Sequence, residues 1–121
     1  MSVEKPHKKL VAWQKSMDLV VAIYDATRSF PKEKLYGLTS QMRRAAVSAP
    51  SNIAEGAAGR SNDQFKNFLN IAIGSLSELN TQIEIAFRVG YINQRKSEEL
   101  QKLLDECLAV TYGLKRSIGQ K

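Results

Sequence analysis

One cysteine and one histidine in 121 residues leave little material for redox or metal chemistry. Cys107 has no partner with which to form an internal disulfide, so the expected compartment is the cytoplasm. A carboxylate di-metal bundle needs Glu-x-x-His pairs on facing helices, which His7 alone cannot supply. No metal, no cofactor and no catalytic residue are therefore expected, and an enzyme is disfavoured. The longest uninterrupted apolar run, Leu19 to Tyr24, is far short of the roughly 18 residues of a membrane span. The Lys-rich N-terminus lacks the apolar core of a secretory signal. Proline is scarce, and no segment alternates apolar and polar residues as a half-buried strand does.

What is present is helical periodicity. Met1 to Lys9 are polar and contain a proline, which predicts a loose arm ahead of a single domain over residues 10–118. Leu10, Trp13, Met17, Val20, Val21 and Tyr24 recur at three- and four-residue spacing and predict the inner face of a first helix ending near Arg28. Phe30-Pro31 ends it, because proline pushes the residue before it out of the α region. A charged connector, Pro31 to Gly37, follows.

The second helix is expected from Leu38, with Leu38, Met42, Ala45, Ala46, Ala49, Ile53 and Gly56 inward. Pro50 should kink it or split it in two, since proline removes the N–H that bonds to the carbonyl four residues back. Ser61 with Gln64 predicts a capped start to a third helix. Phe65, Phe68, Leu69, Ala72, Leu76, Leu79, Ile83, Ala86 and Gly90 hold its main stripe. Ile71, Ile85 and Val89 form a weaker second line, which suggests burial on another side by self-association. After a turn over Gly90 to Ser97, a fourth helix carries Leu100, Leu103, Leu104, Cys107, Val110, Leu114 and Ile118 inward. Glu98 and Glu99 are expected in its first turn and Lys115 and Arg116 in its last, complementing the helix dipole. Four helices with short connections imply an all-α, antiparallel up-down-up-down four-helix bundle.

A turn about Gly59 to Ser61 sets Gly74 opposite Val47, Glu78 opposite Arg43 and Glu55 opposite Lys66. Close approach of the small-residue segment around Ala45 and Ala46 would compensate for the mid-helix glycine at Gly74. Arg43, Asn52, Glu55, Ser75 and Glu78 are the expected polar network, fixing helix register or a subunit contact, because buried polar groups must be paired. Cys107, on the inner stripe, is expected to be a buried apolar residue and not a nucleophile. Trp13, Met17 and Tyr24 are read as core, and Tyr91 and Tyr112 as interface candidates.

The net charge is +6, of which residues 1–60 contribute +5. In the bundle, one end would gather Lys5, Lys8, Lys9, Arg60, Lys66, Lys115, Arg116 and Lys121 against only Glu4, Glu55 and Asp63. The opposite end would hold eight cations against six carboxylates. The first is a basic pole suited to phosphate backbones, with Lys8, Lys9, Arg60, Lys66, Lys115 and Arg116 as the candidate nucleic-acid-binding residues. No aromatic side chain alternates with these cations along the chain, so a base-stacking platform is not indicated.

The segments Q-M-R-R-A-A-V-S-A-P-S-N-I-A-E-G (Gln41–Gly56) and F-L-N-I-A-I-G-S-L-S-E-L-N-T-Q-I (Phe68–Ile83) resemble the 23S rRNA intervening-sequence, or S23-type, family. The likeness runs from about Leu10 to Leu114. Ala49 stands where the family commonly has a larger aliphatic residue, and Asn80 where it commonly has a second acid. The resemblance implies a four-helix bundle that assembles as a homopentamer. It also implies similarity to accessory proteins of diversity-generating retroelements, which associate with a reverse transcriptase and with nucleic acid. Members are encoded within rRNA intervening sequences in some bacteria, which is a genetic location and not an activity. Taken together, the expected function is a non-enzymatic homo-oligomer that binds RNA or DNA non-specifically through a basic pole. The alternative is a protein–protein adaptor that recruits an enzyme such as a reverse transcriptase without touching nucleic acid.

Overall fold

The computed structural model describes residues 5–32, 35–59 and 61–119. Four helices form an all-α bundle: α1 (Val11–Thr27), α2 (Ser40–Ala58), α3 (Asn62–Arg88) and α4 (Gln94–Ser117). Neighbours pack in the order α1–α2–α3–α4 and back to α1, the closed square of an up-down-up-down bundle. Within the expected arm, Pro6–Lys9 form a 3₁₀ turn. The Gln14 side chain caps it by donating to the Lys8 carbonyl at 2.9 Å, and His7 meets the Trp13 ring edge-on at 4.9 Å.

The caps explain where the helices begin. Ser61 Oγ accepts the Gln64 N–H at 3.1 Å, as its position before α3 predicts. Asn93 does the same for α4, accepting the Lys96 N–H at 2.8 Å. That cap starts α4 at Gln94, inside the expected turn, so Glu98 and Glu99 lie beyond the first turn, while Lys115 and Arg116 do occupy the last. Between α1 and α2, residues Leu35–Thr39 form a wide helical turn broken at Gly37 (φ −104°, ψ −115°).

The core has two parts. Leu19, Ile23, Met42, Leu76, Leu79, Ile83, Leu100 and Leu104 anchor the larger. Ala12, Ile53, Leu69, Ala72 and Ile118 form a smaller cluster where α1 and α3 begin and α2 and α4 end. Each fully buried Leu or Ile contributes about 1.5–3 kcal/mol relative to exposure. Polar contacts tie each adjacent pair: Arg43 Nε to Thr27 Oγ1 at 2.9 Å, Ser75 Oγ to Ser48 Oγ at 2.8 Å, Gln101 Nε2 to the Asn80 carbonyl at 3.1 Å, and Lys15 Nζ to Glu106 Oε2 at 3.4 Å.

Three expectations are corrected. First, α1 buries Ala12, Ser16, Leu19, Ile23 and Thr27, whereas Val21 is 59% exposed and Met17 and Tyr24 also reach the surface. Small and hydroxyl residues suit the inner face because Ser16 Oγ and Thr27 Oγ1 donate back to the Trp13 and Ile23 carbonyls at 2.8 and 2.7 Å. Second, α2 runs as one helix through the buried Pro50, so of the two expected alternatives the split into two helices is excluded. Ser51 Oγ and Asn52 Nδ2 donate to the Val47 and Ser48 carbonyls, one and two residues beyond the carbonyl that proline leaves unpaired. Third, Gly74 is exposed, and a Cβ there would meet nothing within 4 Å. The close approach is at Gly56, where a Cβ would lie 2.9 Å from both Phe65 Cδ1 and Phe68 Cβ.

Candidate functional site

The smaller core cluster brings the start of α3 and the end of α4 together, and with them a set of cations. Lys66, Tyr112, Lys115, Arg116, Ile118 and Gly119 line one cleft of about 360 Å³. Gly119 turns the chain back at φ +80°, and a Cβ on it would lie 3.8 Å from Lys66 Nζ and 3.7 Å from Asn62 Nδ2. The last turn of α4 therefore abuts the first turns of α3. Among the described residues, no carboxylate pairs with Lys66, Lys115 or Arg116.

At the opposite end, four of the cations are paired with three carboxylates. Arg28 pairs with Asp25 at 3.2 Å, Arg88 with Glu84 at 2.8 Å, Arg95 with Glu99 at 3.6 Å and Lys96 with Glu99 at 3.0 Å. The Lys96 hydrogen bond and charge, with Arg95 behind them, hold the Glu99 carboxyl below its ordinary value. Such exposed pairs add little to stability, but they offset part of the field that those cations would otherwise project.

Of the other predicted phosphate-binding residues, Lys8 and Lys9 lie in the 3₁₀ turn before α1, outside the cleft lining. Arg60 lies outside the described residues.

The five residues of the predicted polar network are not all gathered. Ser75 and Asn52 meet through Ser48, whose hydroxyl is 2.8 Å from Ser75 Oγ and 3.0 Å from Asn52 Nδ2. This sets Ser48 opposite Ser75, two residues along α3 from the position 73 that the expected register of Val47 with Gly74 would give it. Arg43 turns toward α1, donating to Thr27 and stacking its guanidinium 4.5 Å from the centre of the Tyr24 ring. Glu78 accepts from Gln82 Nε2 at 3.2 Å within its own helix. Glu55 is exposed and lines a separate surface depression with Ala58, Gly59, Gln64 and Phe68. Neither an Arg43–Glu78 nor a Glu55–Lys66 ion pair forms.

Two features escaped sequence reasoning. Tyr112 belongs to the basic cleft and is 44% exposed. Its signal was its place three and four residues before Lys115 and Arg116, one face of the same helix. The second feature is an apolar groove of about 300 Å³ between α1 and α2, lined by Trp13, Met17, Val20, Val47, Pro50, Ser51 and Ala54. It is the outward face of the residues expected to be core. Ile71 and Ile85 on α3, with Val89 just after it, are a second exposed apolar line, at 51%, 43% and 55%.

Cys107 is buried, and loss of hydration pushes its thiol up to about 12, far from a reactive thiolate. Among the described residues, no three His, Cys, Asp or Glu side chains are grouped to hold a metal. Among the described residues, no helix is long and apolar enough to cross a membrane.

Among solved structures, the fold is similar to that of a protein of unknown function from the S23 ribosomal protein family of Bacteroides thetaiotaomicron. The TM-score is 0.81 at 24% identity, over 88% of this chain and 96% of that one. No curated protein matches the chain. The family model described as 23S rRNA-intervening sequence protein matches residues 8–113, nearly the whole bundle and both motif segments in α2 and α3, and the chain belongs to that family.

Proposed function

We propose that this protein is a non-enzymatic, homo-oligomeric bundle that binds RNA or DNA non-specifically through its basic pole. The supporting observation is the contrast between the two ends. Arg28, Arg88, Arg95 and Lys96 engage three carboxylates, Asp25, Glu84 and a shared Glu99, whereas Lys66, Lys115 and Arg116 share a cleft with none among the described residues. Unneutralised cations at one end attract phosphates and release their counterions, which makes binding strongly salt-dependent. A ring, a homopentamer in the reading that family resemblance suggests, would repeat that pole in every subunit. The apolar groove between α1 and α2 and the apolar line on α3 are two different surfaces, as head-to-tail closure of a ring requires.

The exposed groove also favours a second reading, in which it receives a helix of another protein, such as a reverse transcriptase, and nucleic acid is not touched. Titration against labelled RNA and duplex DNA over a salt series separates the two. Binding should weaken linearly on a log–log scale, and Lys115→Gln with Arg116→Gln should reduce the slope. Absence of binding at low salt, or an unchanged slope, overturns the basic-pole reading and leaves the adaptor.

A further inference from the structure

We infer that the cleft between the first turns of α3 and the last turn of α4 takes an unpaired nucleotide of a single strand. Its phosphate would sit on Lys66, Lys115 and Arg116 and its base against the ring of Tyr112. The inference rests on the proposal that the pole binds nucleic acid, and it names the form of nucleic acid bound. At about 360 Å³ the cleft lies within the roughly 300–1,000 Å³ range of small-ligand pockets. Its lining combines the three cations with Tyr112, Ile118 and Gly119. Among the described residues, Tyr112 makes no ring contact and no side-chain hydrogen bond. An exposed aromatic face beside three cations that lack carboxylate partners is the combination that holds single strands, because every base has a π-face and every link a phosphate.

A duplex fits this cleft less well. Its base faces are covered by neighbouring pairs, so a tyrosine reaches them only after unstacking, and the cations then supply the whole interaction. The two contributions also separate by salt. The phosphate contacts release counterions and set the salt slope, whereas stacking on Tyr112 releases none.

The test compares wild type, Tyr112→Ala, Tyr112→Phe and Lys115→Gln/Arg116→Gln by fluorescence anisotropy. The probes are a labelled mixed-sequence single strand and a blunt duplex of the same sequence. Tyr112→Ala should weaken single-strand binding about tenfold, leave duplex binding unchanged and keep the salt slope. Tyr112→Phe should retain wild-type affinity, and the charge variant should weaken both probes and lower the slope. Because Tyr112 is exposed, helicity and melting of the variants should match wild type, which makes a loss of binding specific. Equal weakening of both probes by Tyr112→Ala, or of neither, overturns the inference while the basic-pole proposal stands. No binding of either probe by wild type at low salt overturns both. Displacement of the strand by an equimolar free mononucleotide overturns the strand assignment in favour of a small-molecule ligand.

Discussion

Ser75 Oγ on α3 donates to Ser48 Oγ on α2 across 2.8 Å, and Ser48 Oγ also accepts from Asn52 Nδ2 at 3.0 Å. One hydroxyl thus joins two helices and a side chain of its own helix, four residues along. All three groups lie inside the two segments that carry the family likeness, so register is held by residues that the sequence motif contains.

Removing either hydroxyl should lower stability by about 0.5–1.5 kcal/mol, the net value of an ordinary hydrogen bond. Ser48→Ala and Ser75→Ala should not add in the double variant, because the second change removes a bond already lost. Urea unfolding of the three variants measures this. Full additivity would mean that the contact contributes nothing to stability.

Gly56 and Gly74 should respond in opposite ways to alanine. A methyl at Gly56 would sit 2.9 Å from Phe68 Cβ and Phe65 Cδ1, and Phe68 Cβ cannot move without its backbone. The overpacking cost of about 1–3 kcal/mol exceeds the roughly 1 kcal/mol gained in helix propensity. Gly74→Ala meets nothing and should stabilise by up to about 1 kcal/mol. Thermal melts that rank Gly56→Ala above wild type would contradict the packing.

Cys107 should resist alkylation in the native protein at mildly alkaline pH and react fully in denaturant, as mass spectrometry would show. Burial lifts its thiol from an ordinary 9.0 to about 12. Above the ordinary value the unfolded chain loses the proton that the folded chain keeps, so the unfolded state is favoured as pH rises. This contribution to stability is complete below about pH 9 and is lost progressively toward 12. Cys107→Ala should remove that alkaline component of the stability profile.

A charge placed on either exposed apolar surface should break self-association while sparing the fold. Val47, in the α1–α2 groove, is 39% exposed and Ile85, on α3, is 43% exposed. Val47→Glu and Ile85→Glu should each shift the mass seen by light scattering toward the monomer, with helical circular dichroism retained. In a head-to-tail ring, one defective face suffices to prevent closure. A wild-type protein that is already monomeric at micromolar concentration would remove the ring from the proposal.

Much of the bundle was legible in the residues. The stripe from Leu69 to Ala86 matches the buried face of α3, and Ser61 marks its start because a hydroxyl there can accept a free N–H of the first turn. For α1 the inner face was misassigned. That helix carries two apolar lines, and hydropathy favours the larger side chains of Trp13, Met17 and Val21 over Ala12, Ser16 and Thr27. Periodicity reports that a stripe exists. Which of two stripes faces inward depends on where α2 and α4 pack. At Pro50 the lost N–H predicts a break, whereas Ser51 and Asn52 bond to the neighbouring Val47 and Ser48 carbonyls and the helix continues.

Helix number, helix order and the buried state of Cys107 all follow from spacing and composition. They depend on groups close in sequence, or on averages over many residues. Contacts between distant side chains were settled only by tertiary structure: Arg43 with Thr27 and Tyr24, Ser48 with Ser75, and the meeting of Tyr112 and Lys66 in the lining of one cleft. Antiparallel packing brought Lys66, Lys115 and Arg116 to one end of the bundle. A rotation of one helix by a fraction of a turn decides which side chain each charge meets, and that rotation is set by how volumes such as Phe65 against Gly56 fit together in three dimensions.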